Sequence, residues 1–299
     1  MISNPLRIAF IGCVDFSNQL LEHLVDRSDV VVAGVITRRS SQINSDFCCL
    51  EPVASRIGSP VLMVNGNDQQ VMVDFLSPLR LDYLFCCGWS YLLKPSVLAI
   101  PARGVIGYHP ALLPRNRGRH PLIWALVLGL PHTGSSFFLM DERADAGPLL
   151  DQQVVSIGPD DTAAQLYARV VETACRQVDR LIPALLAGTL VPVPQDPAKA
   201  TSWRKRGIAD GRVDWRMSAP AIKNLVRALT RPYPGAHCEI GGVDISIWRA
   251  EIGPEVSADL EPGRVLDVDG TDILVKCNGG SVRLLDHGFN PLPKVGECL

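Results

Sequence analysis

The residues best suited to chemistry in this chain are a histidine and an acid. His109 closes the run Ile106-Gly107-Tyr108-His109 and opens a proline-punctuated turn, Pro110-Ala111-Leu112-Leu113-Pro114, which continues through Arg115-Asn116-Arg117-Gly118-Arg119-His120-Pro121. Further on, Asp141-Glu142-Arg143-Ala144-Asp145-Ala146-Gly147 brings back three acids, two of them aspartates. A histidine leaving a strand beside a tight loop, with an acid returning on a later strand, is how a proton-transfer pair is assembled on an α/β scaffold. The imidazole removes or donates a proton according to its state, and a nearby carboxylate supports the charged ring or takes the proton itself. His109 and Asp145 are the catalytic candidates. Asp141 reads as a structural loop acid.

The elements that must position this pair are legible as hydrophobic runs. Leu6 to Gly12, Val30 to Thr37, Pro60 to Val64 and Leu81 to Cys87 are short apolar strands separated by helix-compatible segments. In the first of those segments Phe16, Leu20, Leu21, Leu24 and Val25 recur at helical spacing. Uninterrupted strands alternating with helices predict a Rossmann-like, mainly parallel sheet covered on both faces. Gly118 to Gly129 reads as a helix with Pro121 near its start. His132 to Asp141 and Leu149 to Ile157 read as later strands, and Asp161 to Leu186 as a long amphipathic helix containing Pro183. The first turn carries Gly12 alone and no G-x-G-x-x-G, which argues against a conventional dinucleotide site there. A site in an open α/β sheet still belongs beyond the carboxyl ends of its strands, where Tyr108 and His109 fall.

Prolines at 192, 194 and 197 mark a change of composition. After it come a short helix capped by Ser218 and about five strand candidates punctuated by glycine turns, which predict a small, OB-like β-barrel. The domains expected are therefore 1–190, a linker at 191–206, and 207–299.

The 299 residues carry a net charge of −2, 47% hydrophobic and 20% charged residues, an ordinary balance for a globular chain. That charge gives no global pull toward nucleic acid. No run approaches the roughly 20 apolar residues that span a bilayer, and the N-terminus has no signal-peptide pattern, so a cytoplasmic protein without membrane contact is expected. The nine cysteines are odd in number and show no C-x-x-C spacing. They read as small buried hydrophobes in a reducing compartment, with a catalytic thiol as the alternative and no metal site.

Residue by residue, the His109 and Asp145 segments resemble the folate-dependent formyltransferase family, whose pattern is N-x-H-x-S-L-L-P-x-x-x-G followed by D-x-x-x-D-x-G. The chain departs from it at Gly107, where the family has Asn, and at Ala111, where the family has Ser. The resemblance implies formyl transfer from 10-formyltetrahydrofolate to an amine, with His109 and Asp145 handling protons. The family's Asn polarises the formyl oxygen. Gly107 leaves that to a backbone N–H, a water, or a neighbour such as Asn116 or His120.

Leu81 to Leu93 looks like the family's strand and loop that line the folate pocket, which implies cofactor contacts at Cys87, Gly88, Trp89, Tyr91 and Leu92. Ala111, Leu112, Leu113 and Pro114 would form the other wall. Asp210 to Trp215 and Asn224 to Ala236 resemble the family's approach to its C-terminal barrel.

The family's initiator-tRNA members carry a basic loop after the second strand. Thr37 to Cys49 here holds two arginines and no Gly-Arg-Gly-Lys run, and single-stranded RNA ends need basic and aromatic groups. That favours a small acceptor, a nucleotide-linked amino sugar, held by Tyr108, Arg115, Arg117 and Arg119, with Trp203-Arg204-Lys205-Arg206 as a further candidate for its diphosphate. An initiator methionyl-tRNA acceptor and a non-catalytic folate- or nucleotide-binding module remain as alternatives. The barrel could support a homodimer.

Overall fold

The computed structural model of the chain describes residues 4–41 and 45–299. Residues 1–3 of the N-terminus and Gln42, Ile43 and Asn44 of the loop after the second strand, both used above, lie outside the described residues. The chain forms two compact units, one containing residues up to Gly118 with Gly134–Val155 and Arg169–Ser202, the other Arg119–Thr133, Ser156–Ala168 and Trp203–Leu299.

In chain order, β1 (Leu6–Ile11), α1 (Asp15–Val25), β2 (Val30–Thr37), α2 (Glu51–Arg56), β3 (Val61–Met63), α3 (Gln69–Leu76), β4 (Tyr83–Cys86), α4 (Pro95–Leu98) and β5 (Val105–His109) alternate strand with helix. Then follow β6 (Arg117–Gly118), α5 (Pro121–Val127), β7 (His132–Leu139), β8 (Leu149–Ser156), α6 (Ala163–Ala187), β9 (Ser202–Trp203) and α7 (Ala219–Leu229). The strands from β1 to β5 pair in parallel, and β7 runs antiparallel beside β5 in the order β3-β2-β1-β4-β5-β7-β8.

Both faces of the central strands are covered, so β1 and β4 are apolar along nearly their whole length: Ile8, Phe10, Ile11, Leu84 and Phe85 are buried. Helix α1 turns Phe16, Leu20, Leu21 and Leu24 inward, matching its 3.6-residue period.

The strand order reverses between β1 and β4, which makes their carboxyl ends the switch point where ligands of open α/β sheets bind. There Ser17 Oγ donates to the Cys87 carbonyl at 2.6 Å and accepts from the Val14 N–H at 3.3 Å. A Cβ on Gly12 would lie 2.5 Å from that same carbonyl oxygen. Gly12 thus serves close backbone approach, and the ligand-accessible edge lies further out, past Thr37, Cys87 and His109.

The second unit contains α7 and five antiparallel strands, β10 (Ala236–Ile240), β11 (Val243–Ile252), β12 (Val265–Asp269), β13 (Asp272–Cys277) and β14 (Gly280–His287), ordered β10-β11-β14-β13-β12. The barrel expected from the hairpin spacing is an open sheet: among the described residues nothing pairs β10 with β12. The apolar stripe Ile222, Leu225 and Val226 of α7 shares a core with Ile247, Val275, Val282 and Leu284, so the sheet buries one face against a helix and need not close. Ser218 caps α7, its side chain accepting from the Ala221 N–H.

Candidate functional site

His109 is the last residue of β5, 5% exposed and opposite Ser136 of β7. Its Nε2 donates to the Asn116 carbonyl at 2.7 Å, and its Nδ1 lies 3.6 Å from Asp145 Oδ2. The turn between these groups is pinned from β7 and β8. Ser136 Oγ donates to the Ala111 carbonyl at 2.6 Å, while Gln152 Nε2 donates to Ser136 Oγ and to the Leu113 carbonyl, each at 2.9 Å. A Cβ on Gly134 would sit 2.6 Å from the Ala111 and Leu112 backbone, so only glycine lets β7 approach this closely.

Asp145 is held from three sides. Its φ is +53°, in the left-handed region, and its Oδ2 accepts from the Gly118 N–H at 2.9 Å. Gln195 Nε2 donates to the carbonyls of Asp145 and Gly147 at 2.9 and 2.7 Å, and Gln195 Oε1 accepts from the Arg117 guanidinium at 2.6 Å. Asp141 has a different role. Burial raises its carboxyl, but hydrogen bonds from the Arg143 guanidinium and N–H outweigh that and hold it below the usual range. It closes a local turn.

Position 107 shares a strand face with His109, because side chains alternate. A Cβ there would lie 2.7 Å from Met140 Cγ and 2.8 Å from Phe138 Cζ. These two residues fill the space an asparagine would need. Gly107→Asn is therefore expected to destabilise the fold by about 1–3 kcal/mol. Paired with Phe138→Leu, which removes the opposing ring, the loss should be smaller than the sum of the two single losses. Denaturant melts of the four proteins read this coupling; strict additivity would show that Phe138 is not the obstacle.

The remaining expected residues fall in three places. Cys87, Gly88, Trp89, Tyr91 and Leu92 follow β4 at the carboxyl edge, and the backbone groups of Trp89 and Tyr91 find no partner among the described residues. Tyr108 points to the opposite strand face from His109. It stacks on Phe16 at 4.3 Å, meets Phe137 at 4.9 Å, and shares a hydrogen bond with Ser135 Oγ at 2.8 Å. Asn116 meets His109 through its carbonyl, not its side chain, whose Oδ1 accepts from Thr201 Oγ1 at 3.3 Å. The Arg115 N–H donates to the Leu112 carbonyl within the turn.

Arg119 and His120 belong to the second unit. Burial, joined by the charges of Arg119, Arg206 and Lys205, pushes the His120 imidazole below its ordinary value. In that unit Arg204 and Arg206 lie over the Trp124 ring at 5.3 and 4.6 Å, and Arg204 pairs with Asp210.

The cysteines form no disulfide. Burial pushes the Cys86 thiol up to about 12 and the Cys238 thiol to about 11, which leaves little thiolate for nucleophilic work. Among the described residues no group of acids, histidines and cysteines could hold a metal, and no helix is long and apolar enough to cross a membrane.

Gln195 was not legible as a site residue, because it sits in a proline-marked stretch far in sequence from Asp145. Its only signal is being a lone amide between Pro194 and Asp196. Gln195→Leu, which keeps the volume and removes all three bonds, is expected to lower turnover about 10–100-fold by loosening Asp145. Steady-state kinetics should show the loss in kcat and not in KM; an unchanged kcat would deny Gln195 a positioning role.

A strand-end histidine, a returning acid and a Leu-Leu-Pro turn thus lie together at the carboxyl edge of this sheet. The formyl transferase family matches residues 6–180, its C-terminal domain matches residues 208–290, and the chain belongs to that family.

Among solved structures, the N-formyltransferase from Helicobacter canadensis in complex with folinic acid and dTDP-3-aminofucose is 14% identical, with a TM-score of 0.72 over 93% of this chain and 98% of that one. HypX from Aquifex aeolicus in complex with tetrahydrofolic acid is 19% identical, TM-score 0.66, over 94% of this chain. The chain spans less than half of HypX, 44% of its length. Methionyl-tRNA formyltransferase from Clostridium thermocellum is 16% identical, TM-score 0.59, over 83% and 94% of the two chains. At these identities the likeness is one of fold.

Proposed function

We propose that this protein is a 10-formyltetrahydrofolate-dependent N-formyltransferase whose acceptor is the amine of a nucleotide-linked amino sugar. The observation that carries the chemistry is the buried His109 ring, with one nitrogen on the Asn116 carbonyl and the other facing Asp145 at 3.6 Å. The folate supplies an electrophilic formyl carbon. The unpartnered backbone edges of Trp89 and Tyr91 fit a ring system rich in donors and acceptors, and Ala111 to Pro114 offer the second wall.

With Nε2–H on the Asn116 carbonyl, Nδ1 of His109 is the ring nitrogen that takes up or returns a proton beside the Asp145 carboxylate, and Asp145 stabilises the charged ring while the acceptor amine gives up its proton. The absent Asn side chain at 107 and the Phe138–Met140 filling leave polarisation of the formyl oxygen to His109 itself or to backbone N–H groups. The small acceptor is supported by the paucity of basic residues after β2 and by the sugar-nucleotide complex of the Helicobacter canadensis protein.

The test is formyl transfer from 10-formyltetrahydrofolate to a panel of nucleotide-linked amino sugars, with charged initiator tRNA in parallel. Turnover on a sugar nucleotide supports the reading, and turnover on tRNA alone replaces the acceptor. Folate binding without transfer to either would support the non-catalytic alternative.

A further inference from the structure

Among the described residues three arginines are about nine-tenths buried: Arg38, Arg206 and Arg227. Two donate to oxygen acceptors. Arg206 donates to the Asp210 carbonyl, and Arg227 donates to Asn224 Oδ1 and to the carbonyls of Gly158 and Asp161. Among the described residues Arg38 has no such acceptor. The residue is 9% exposed, and its guanidinium lies 5.7 Å from the centroid of Trp89 and 5.4 Å from that of Tyr91.

Cation–π contacts compensate a charge only weakly, whereas a largely buried charge is costly unless it is paired. A donor beside it is buried and unsatisfied: among the described residues Trp89 Nε1 has no acceptor. Both sit just past the carboxyl ends of β2 and β4, on the edge where this class of sheet takes its ligands. A planar guanidinium flanked by aromatic faces suits two parallel bonds to a carboxylate or phosphate.

We infer that Arg38 is an anion anchor, receiving an oxyanion group of one of the two reactants: a glutamyl carboxylate of the folate or a phosphate of the acceptor. Rings of Trp89 and Tyr91 hold the guanidinium in place before the ligand arrives, so the group is preorganised and not recruited. The identity of the reactants rests on the function proposed above; the anion demand itself rests on Arg38 alone.

The experiment compares wild type with Arg38→Met, which keeps the stem and removes the charge, and Arg38→Lys, which keeps the charge and loses the fork. Calorimetric titrations use 5-formyltetrahydrofolate, the same compound without its glutamate, and inorganic pyrophosphate. Arg38→Met is expected to melt at or above the wild-type temperature without ligand, because it removes an unpaired charge. It should bind at least one anionic probe tenfold or more weakly, with Arg38→Lys in between. A loss confined to the glutamate-bearing folate assigns the carboxylate, and a loss confined to pyrophosphate assigns the phosphate. Unchanged affinity for all probes, or a lowered melting temperature for both variants, overturns the anchor even if formyl transfer is observed. If wild type neither binds folate nor transfers formyl, the proposed function fails, and the pyrophosphate titration and the melts still decide the role of Arg38.

Discussion

Removing the ring of His109 is expected to lower formyl transfer by about 10²–10⁴-fold, the usual worth of a positioned acid–base group. The imidazole bridges the Asn116 carbonyl and the Asp145 carboxylate, so His109→Ala removes the proton site and takes that donor from the carbonyl. An orphaned acceptor costs about 1–3 kcal/mol if water cannot reach it, which the core of β1, β4 and β5 should absorb. Asp145→Asn is the cleaner control. An amide oxygen can still accept from the Gly118 N–H, so the loop geometry survives while the negative charge facing His109 is gone. Both variants should retain folate affinity in a binding assay and lose turnover. Wild-type rates in either one would remove that residue from the chemistry.

The second large effect is expected at a residue with no side chain. A Cβ on Gly147 would lie 1.7 Å from the Leu139 carbonyl oxygen and 2.9 Å from its carbonyl carbon. Those atoms close strand β7, and the Leu139 N–H is itself bonded to the Pro148 carbonyl at 2.9 Å, so neither side of the clash yields without moving the strand end. In Gly147→Ala the loop must shift by about an ångström, and Asp145 is two residues away. A displacement of that size costs about 10²-fold in rate, and the overpacking adds about 1–3 kcal/mol of destabilisation. Kinetics together with a thermal melt check both parts; a fully active, equally stable Gly147→Ala protein would show that the loop is not held against β7.

The same residues show what a sequence can and cannot disclose. The β1 to β5 alternation was readable because doubly covered strands must be apolar throughout, and α1 because Phe16, Leu20, Leu21 and Leu24 keep helical period. His109 and Asp145 were readable as a pair because the turn chemistry and the glycine after the acid are local patterns. The closure of the second sheet was not readable. Hairpin spacing reports which strands pair with their neighbours, whereas closure depends on whether a helix such as α7 already covers the apolar face. The filling around Gly107 was equally hidden, since Phe138 and Met140 arrive from an antiparallel strand whose register is set by packing. Gln195 and Arg38 meet partners about 50 residues away, and no short-range pattern encodes that distance.

Asn116 and Asp145 both hold left-handed backbone, at φ of +62° and +53°. For a residue with a Cβ that conformation costs roughly 1–2 kcal/mol, and glycine would adopt it freely. Glycine at 116 would keep the carbonyl that meets His109 and shed that cost, whereas glycine at 145 would shed it and lose the carboxylate that accepts from the Gly118 N–H. The two strained positions are therefore not equivalent: at 116 the backbone alone makes the contact, and at 145 the side chain does.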